Sequence, residues 1–112
     1  MKHPYRSGYR FECRVMNWLK KHGFEVIGSR GSHGKADLWA LKRNPPNGIP
    51  TPFVIQCKVM GPPVHLGRLS KEQQAFKQYA DSIKARAFWA WRKGRKMMLQ
   101  ELNPGVRLSV AQ

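Results

Sequence analysis

Acidic residues are scarce in this chain of 112 residues, where six Asp and Glu stand against 21 Lys and Arg. A formal charge of +15 opposes the compact state through self-repulsion, so we interpret it as an adaptation to a polyanionic partner. Nucleic acid is the first candidate and an anionic membrane surface the second. The hydrophobic fraction of 41%, with four Trp and five Phe, predicts a folded chain, and the length predicts one domain over residues 1–112.

Long apolar runs and cysteines are also lacking. No apolar run reaches about 18 residues, which argues against a membrane span, and the opening stretch "MKHPYRSGYRFE" lacks the apolar core of a secretory signal. Cys13 and Cys57 are too few for a disulfide framework, so we expect free thiols and a cytoplasmic protein. The His residues are scattered without C-x-x-C or H-E-x-x-H, which argues against structural zinc.

The apolar periodicity and the Gly and Pro positions predict an α/β fold with a mixed central β-sheet of about five strands flanked by helices. Ser70 and Gln73 form a capping-box pattern at the start of the second helix. The predicted helices cover residues 9–22 and 70–86, and the predicted strands cover 24–28, 36–41, 53–60, 87–91 and 97–102.

Polar residues interrupt two of these apolar strands. In "VIQCKV" the side chains of Gln56 and Lys58 alternate onto one face, and Asp37 lies in the preceding strand. Polar groups in a half-buried strand are unfavourable unless they are paired or used. If the two strands pair as a hairpin, Asp37 lies beside Gln56.

Helix spacing places Glu12 at the edge of the apolar stripe of the first helix, where that helix would meet the sheet. Two carboxylates, an amide oxygen and an amine would then converge. Carboxylates of this kind hold Mg²⁺, which lowers the pKa of a bound water and neutralises charge that develops on a phosphodiester. A nearby Lys can orient the water or stabilise the transition-state anion.

The segment "YRSGYRFE…LKKHGFEVIGSRGSHGKADLWAL…VIQCK" resembles the PD-(D/E)XK nucleases and, more closely, the archaeal-type Holliday junction resolvases, Hjc. The likeness covers about the first 60 residues and continues loosely through the second helix and "ARAFWAWR". It implies a restriction-endonuclease-like core and a homodimer that nicks two opposed strands of a four-way DNA junction. The metal implied is Mg²⁺, with Mn²⁺ as a substitute.

The resemblance also implies roles for individual residues. The implied catalytic set is Glu12, Ser32, Asp37, Gln56 and Lys58. The implied metal ligands are Glu12, Asp37, Gln56 and the backbone carbonyl of Cys57. Ser32 would contact the scissile phosphate. With Ser32, basic residues that flank this site or lie on nearby loops are expected to hold phosphates without reading sequence: Arg6, Arg10, Arg30, Lys35 and Arg68.

The chain departs from the family pattern at three points. Gln56 stands where the resolvases usually have Glu, so one negative charge is missing and Mg²⁺ should bind more weakly. Cys13 and Gly28 replace two family arginines, and Arg30 is a candidate to take over the second role. The loop between Ser32 and Asp37 is one residue longer. Some branches of the superfamily use Q-x-K, so Gln56 does not by itself indicate a dead enzyme.

Each residue taken singly has an ordinary structural explanation. Asp37 could pair with Lys35 at the start of a strand, Glu12 could be a solvated helix acid, and Lys58 could extend out of the sheet. Their combined order and faces favour the nuclease. Two rival hypotheses remain: a flap or nick endonuclease of the same superfamily, and a non-catalytic junction- or DNA-binding protein. A membrane-surface role is not favoured, because neither helix combines a broad apolar face with aromatic anchors.

Overall fold

The structure, a computed structural model, describes residues 4–28, 36–45, 48 and 50–103, and of residues 4–7 the backbone only. These residues form two helices and a five-stranded mixed sheet, as the sequence predicts. No helix among them is long and apolar enough to cross a membrane. The elements are α1 (Pro4–Lys21), β1 (Phe24–Gly28), β2 (Leu38–Lys42), β3 (Phe53–Lys58), α2 (Lys71–Ser82), β4 (Arg86–Lys93) and β5 (Lys96–Glu101).

Helix α1 forms because its apolar residues recur every four positions. Phe11, Val15 and Leu19 are buried against the sheet. Gly23 ends the helix with a φ of 89°, which residues with a Cβ rarely adopt. The helix begins at Pro4 and not at residue 9 as predicted. Proline suits the first helical position, where its missing N–H would have no partner.

The sheet has the order β1-β2-β3-β4-β5, and all neighbours are antiparallel except the parallel pair β3–β4. A parallel pair needs a long crossover connection, and α2 supplies it. Strand β3 ends at Lys58 and not at residue 60, because Val59 and Met60 form a turn. Strands β2 and β3 pair as the hairpin considered from the sequence, and β4 and β5 form a second hairpin.

The two helices cover opposite faces of the sheet. The core on the α1 face comprises Phe11, Val15, Leu19, Phe24, Leu38, Ala40, Ile55 and Ala90. The core on the α2 face comprises Ala36, Val54, Phe76, Ala80, Ala85, Ala87, Trp89, Trp91 and Leu102. Trp89 and Trp91 are therefore core residues. Strand β3 contributes side chains to both cores, so packing on both faces of the sheet fixes the position of this strand.

The N-terminal end of α2 is fixed by the predicted capping box. The Ser70 hydroxyl accepts from the Gln73 backbone N–H at 3.1 Å, and the Gln73 Oε1 accepts from the Ser70 N–H at 3.0 Å. The Gln73 side chain is buried, and its Nε2 donates to the carbonyls of Pro62 and Pro63 at 3.4 and 3.3 Å. Gln73 therefore fastens the segment that follows β3 to the start of α2.

The C-terminal end of α2 is fixed by Asn103. Its Nδ2 donates to Asp81 Oδ1 at 2.8 Å, while its Oδ1 accepts from the backbone of β4 at 3.1 Å. The helix ends at Ser82 and not at Arg86 as predicted, because Lys84 adopts a φ of 58° that a helix cannot contain. The turn leaves Arg86 free to begin β4.

Gln73→Ala is expected to lower the free energy of unfolding by about 2–3 kcal/mol, because it removes half of the capping box and leaves buried polar groups unpaired. Urea unfolding followed by circular dichroism measures the change. Gln74→Ala is the matched control, because Gln74 is exposed and its loss should change stability by less than about 0.5 kcal/mol. Equal losses for the two variants would contradict this account of Gln73.

Candidate active site

The β2–β3 hairpin places Asp37 beside Gln56. The Asp37 N–H donates to the Ile55 carbonyl at 3.0 Å, so the ladder extends to Asp37 just before β2. The Asp37 Oδ2 accepts from the Cys57 N–H at 2.8 Å. One carboxylate oxygen of Asp37 is therefore fixed on the backbone of β3, next to Gln56 and Lys58.

Helix α1 brings a second carboxylate to this end of the sheet. Glu12 is half-buried, and burial together with the nearby Asp37 charge raises the pKa of its carboxyl. Burial likewise raises the pKa of Asp37, although the Cys57 N–H and the Lys58 charge oppose that shift. The two carboxylates thus lie close enough to disfavour each other's charge, which a bound cation would relieve.

Lys58 is the cation of the site. Its Nζ lies 2.7 Å from Oε2 of Glu72 in the first turn of α2. The backbone of Gly61 approaches the stem of Lys58 so closely that a Cβ at Gly61 would lie 2.7 Å from the Lys58 Cβ. Lys58 is therefore held by an ion pair at its tip and by backbone packing at its base.

Gln56 has an unused acceptor. Its Oε1 is buried and has no hydrogen-bond partner among the described residues, and the same is true of Nε1 of Trp89, its register partner on β4. Buried polar atoms without partners are uncommon in folded proteins. A buried amide oxygen beside Asp37 can serve as a ligand for a hard cation.

Negative charge is concentrated at this end of the sheet. Three of the six acidic residues of the chain contribute to it, because the Asp37 charge acts on Glu12 and the Glu72 charge acts on Asp37. The remaining acids have partners elsewhere: Glu25 with Arg43 at 3.1 Å, Glu101 with Arg86 at 2.7 Å, and Asp81 with Asn103 at 2.8 Å. Among the described residues, the site therefore gathers three carboxylates and the ammonium group of Lys58 in a chain of charge +15.

The donors available to a metal are oxygens of three kinds. Among the described residues no group of three or more His, Cys, Asp and Glu is arranged to hold a metal ion. A cation would therefore depend on Gln56 and a backbone carbonyl in addition to Glu12 and Asp37. Burial raises the pKa of the Cys57 thiol, so Cys57 stays protonated, and its side chain packs against the α1-face core. A hard cation such as Mg²⁺ suits this donor set.

Several predicted site residues lie outside the described residues: Ser32, Arg30 and Lys35, as well as the side chain of Arg6. Their predicted roles stay predictions. Arg10 is exposed on α1, two residues from Glu12. Arg68 is exposed in the segment between β3 and α2, where it lines a small open depression with His65 and Gly67.

An open groove of about 720 Å³ lies between α1 and the β4–β5 turn. Arg14 bridges the two sides of the groove, because its guanidinium donates to the Arg95 carbonyl at 2.9 Å. Basic residues dominate its lining, and none of its described lining residues is acidic. The lining comprises Arg10, Cys13, Arg14, Asn17, Trp18, Lys21, Arg95, Lys96 and Met97. The groove shares helix α1 with Glu12, although none of the site residues Glu12, Asp37, Gln56 and Lys58 lines it.

Sequence reasoning missed Glu72, Gly61 and the groove. Glu72 stands inside the capping-box pattern, where an acid is expected for reasons of helix stability alone. Its nearness to Lys58 follows from the parallel crossover, which the sequence pattern did not indicate. The sequence did contain a signal for Gly61, namely a glycine soon after a strand that carries a candidate catalytic Lys.

No protein-family model and no curated protein matches the sequence. Among solved structures, the chain is similar to Hjc from Archaeoglobus fulgidus, described as a Holliday junction resolvase from an archaeal hyperthermophile, with a TM-score of 0.62. The chain has the resolvase fold. The similarity covers 86% of this chain and 73% of Hjc at 23% sequence identity. The fold that the sequence resemblance implied is thereby confirmed, and the Hjc comparison extends well past residue 60.

Proposed function

We propose that this protein is a metal-dependent endonuclease that resolves four-way DNA junctions. The observation that carries the proposal is the convergence of Glu12, Asp37, Gln56 and Lys58 at one end of a sheet with the resolvase fold. The family resemblance implied roles for these residues from their order along the chain. Their proximity in the folded structure is a separate observation that supports the same roles. The activity, the metal and the junction substrate belong to the proposal.

In the proposed mechanism, Glu12, Asp37, Gln56 and the Cys57 carbonyl would hold one divalent cation. Bound Mg²⁺ or Mn²⁺ would supply Lewis acidity and a water of lowered pKa. Asp37 orients its free carboxylate oxygen because the other is fixed on the Cys57 N–H. Lys58 directs its ammonium to the scissile phosphate, where it stabilises the anion that develops and orients the attacking water. Attack in line with the leaving group inverts the configuration at phosphorus.

The basic groove supports the binding of a DNA strand beside this site. Its arginine and lysine side chains suit phosphates, and phosphate contacts hold a strand in position without requiring a particular sequence. Arg95 and Lys96 stand at its rim on the β4–β5 turn, where they are exposed. The groove therefore accounts for part of the charge of +15.

The double substitution R95Q/K96Q is expected to reduce the slope of log affinity against log salt by up to about 1.8, since each phosphate contact contributes about 0.9. Titration of a fluorescent four-way junction in EDTA at several salt concentrations measures this slope. K77Q/K84Q is the control with equal charge loss on or after α2, across the sheet from the groove, and it should leave the slope nearly unchanged. A larger change in the control would contradict the placement of DNA in the groove.

We also propose that the active form is a homodimer, as the resemblance implies. Ile27 is 70% exposed and Leu41 44% exposed on the α2 side of β1 and β2, at the sheet edge away from β4, the strand against which α2 packs. Exposed apolar residues on adjacent strands suit a protein interface. A dimer would present two sites to two opposed strands of a junction.

Cleavage of matched substrates tests the junction proposal against its rivals. An immobile four-way junction, a flap, a nicked duplex and a linear duplex are each incubated with the protein and Mg²⁺. Paired nicks on the junction alone support resolution, whereas preferred cutting of the flap or nick would favour another structure-specific endonuclease. Tight binding without cleavage in Mg²⁺ or Mn²⁺ would indicate a non-catalytic DNA-binding protein.

A further inference from the structure

The site would have one carboxylate fewer than its relatives if only the residues implied by the resemblance formed it. Gln56 brings an amide in place of the usual acid, so Glu12 and Asp37 remain as the negative ligands. Metal affinity depends strongly on the number of charged ligands. The structure contains another acid at this place, and it comes from a different element.

We propose that Glu72 positions Lys58 and supplies the third negative charge of the site, in place of the charge that Gln56 lacks. The inference rests on the proposed nuclease function. Its first support is the ion pair between Glu72 Oε2 and Lys58 Nζ at 2.7 Å. Glu72 thus acts on the candidate catalytic amine directly, although it lies 14 positions further along the chain.

The second support is the relation of Glu72 to Asp37. The Asp37 Oδ2 is fixed on the Cys57 N–H at 2.8 Å, and the next residue, Lys58, holds Glu72 on its ammonium group at 2.7 Å, so both carboxylates lie at the end of β3. If Glu72 served only to stabilise the N-terminus of α2, its nearness to Asp37 would be unfavourable, because like charges repel. Glu72 would not itself be a ligand, but its charge would favour a cation held by Glu12 and Asp37.

The third support is the way in which the fold holds this pair. Gln73, next to Glu72, is buried and tied to Pro62 and Pro63, which directly follow Gly61. Gly61 in turn packs against the stem of Lys58. The segment after β3 therefore connects Lys58 and Glu72 by short, ordered contacts. An exposed ion pair without such support would be a weak constraint.

The test compares charge-neutral variants by two readouts, Ca²⁺ binding by calorimetry without DNA and junction cleavage in Mg²⁺. E72Q should weaken Ca²⁺ binding by about tenfold and cleavage by about 10–100-fold, as losses of supporting groups at metal sites do. E25Q removes an equal charge from an exposed ion pair on β1 and should change neither. Q56E/E72Q restores the negative charge at position 56 and should return Ca²⁺ binding to within about threefold of wild type, while cleavage recovers only in part because Lys58 still lacks its ion-pair partner.

The outcomes separate this inference from the proposed function. E72Q that behaves like E25Q, or Q56E/E72Q that is no better than E72Q, would overturn the role of Glu72. Wild-type protein that binds Ca²⁺ but cuts no DNA would overturn the nuclease function, and the binding comparison would still decide the role of Glu72. Wild-type protein that binds no divalent cation would overturn both. Glu72 is exposed, so a circular dichroism melt of E72Q should match wild type.

Discussion

Asp37→Asn is expected to lower the rate of junction cleavage by about 10³-fold while it raises the melting temperature in EDTA. The loss of activity follows because the carboxylate is a proposed metal ligand, and the Lewis acidity of a metal contributes several kcal/mol, with tenfold in rate for each 1.36 kcal/mol. The amide oxygen of Asn can still accept from the Cys57 N–H, so the backbone contact at this position is kept.

The gain in stability follows from the charges around Asp37. Burial and the Glu72 charge raise the pKa of Asp37, so the folded state disfavours its ionised form. The folded state favours protonated Asp37. The stability that this protonated form contributes is fully present below the pKa of Asp in the unfolded state, and it is lost as the pH rises through the raised pKa of Asp37 in the folded state. Asn carries no charge at any pH. Its benefit should therefore be seen at neutral pH and vanish in acid.

Melting in EDTA between pH 3 and pH 8 measures this effect, with cleavage assayed on the same samples at neutral pH. Addition of Mg²⁺ should raise the melting temperature of wild type and leave that of Asp37→Asn nearly unchanged, because a ligand that binds only the folded state stabilises it. A variant that loses stability in EDTA and responds to Mg²⁺ like wild type would contradict the role of Asp37 in metal binding.

Lys58→Met is expected to reduce cleavage by about 10²–10³-fold and to leave junction affinity in EDTA within about threefold of wild type. The methionine side chain keeps most of the aliphatic stem that packs beside Gly61, but it removes the ammonium group. Single-turnover cleavage and fluorescence binding give the two values. Lys77→Met on α2 is the control, because it removes one positive charge away from the site.

Gly61→Ala tests the role of Lys58 by changing the backbone position that packs against the Lys58 side chain. A Cβ at Gly61 would meet the Lys58 Cβ at 2.7 Å and the Cγ at 3.2 Å, so the lysine must move. We expect a loss of cleavage in the same direction as Lys58→Met, with DNA affinity kept. Full activity of both variants, with unchanged binding, would contradict the assignment of Lys58 to catalysis.

The strands around the site could be predicted from the sequence because successive side chains of a strand point to opposite faces of the sheet. In β3 the apolar positions fill both cores, so Gln56 and Lys58 stand out as polar residues on one face. The adjacency of Asp37 followed from a hairpin with a proline-rich connection, which permits only antiparallel pairing of β2 and β3. The helical period of α1 placed Glu12 at the sheet boundary.

The role of Glu72 could not be predicted in the same way. Its nearness to Lys58 depends on the parallel pairing of β3 with β4 and on where α2 begins relative to the end of β3. A local pattern specifies the capping box but not the direction in which the helix docks. The buried hydrogen bonds of Gln73 decide that direction, and they join residues 62–63 to residue 73 through tertiary packing.

The most direct test of the central claim is a cleavage assay on an end-labelled immobile four-way junction, with a linear duplex of the same sequence beside it. Wild type and Asp37→Asn are each incubated with Mg²⁺ and with EDTA. We expect paired, symmetric nicks on the junction alone, lost in EDTA and in Asp37→Asn, which would also show that Gln56 suffices as a ligand. Binding of the junction without cleavage in Mg²⁺ or Mn²⁺ would contradict the enzyme and leave a DNA-binding protein with a resolvase fold.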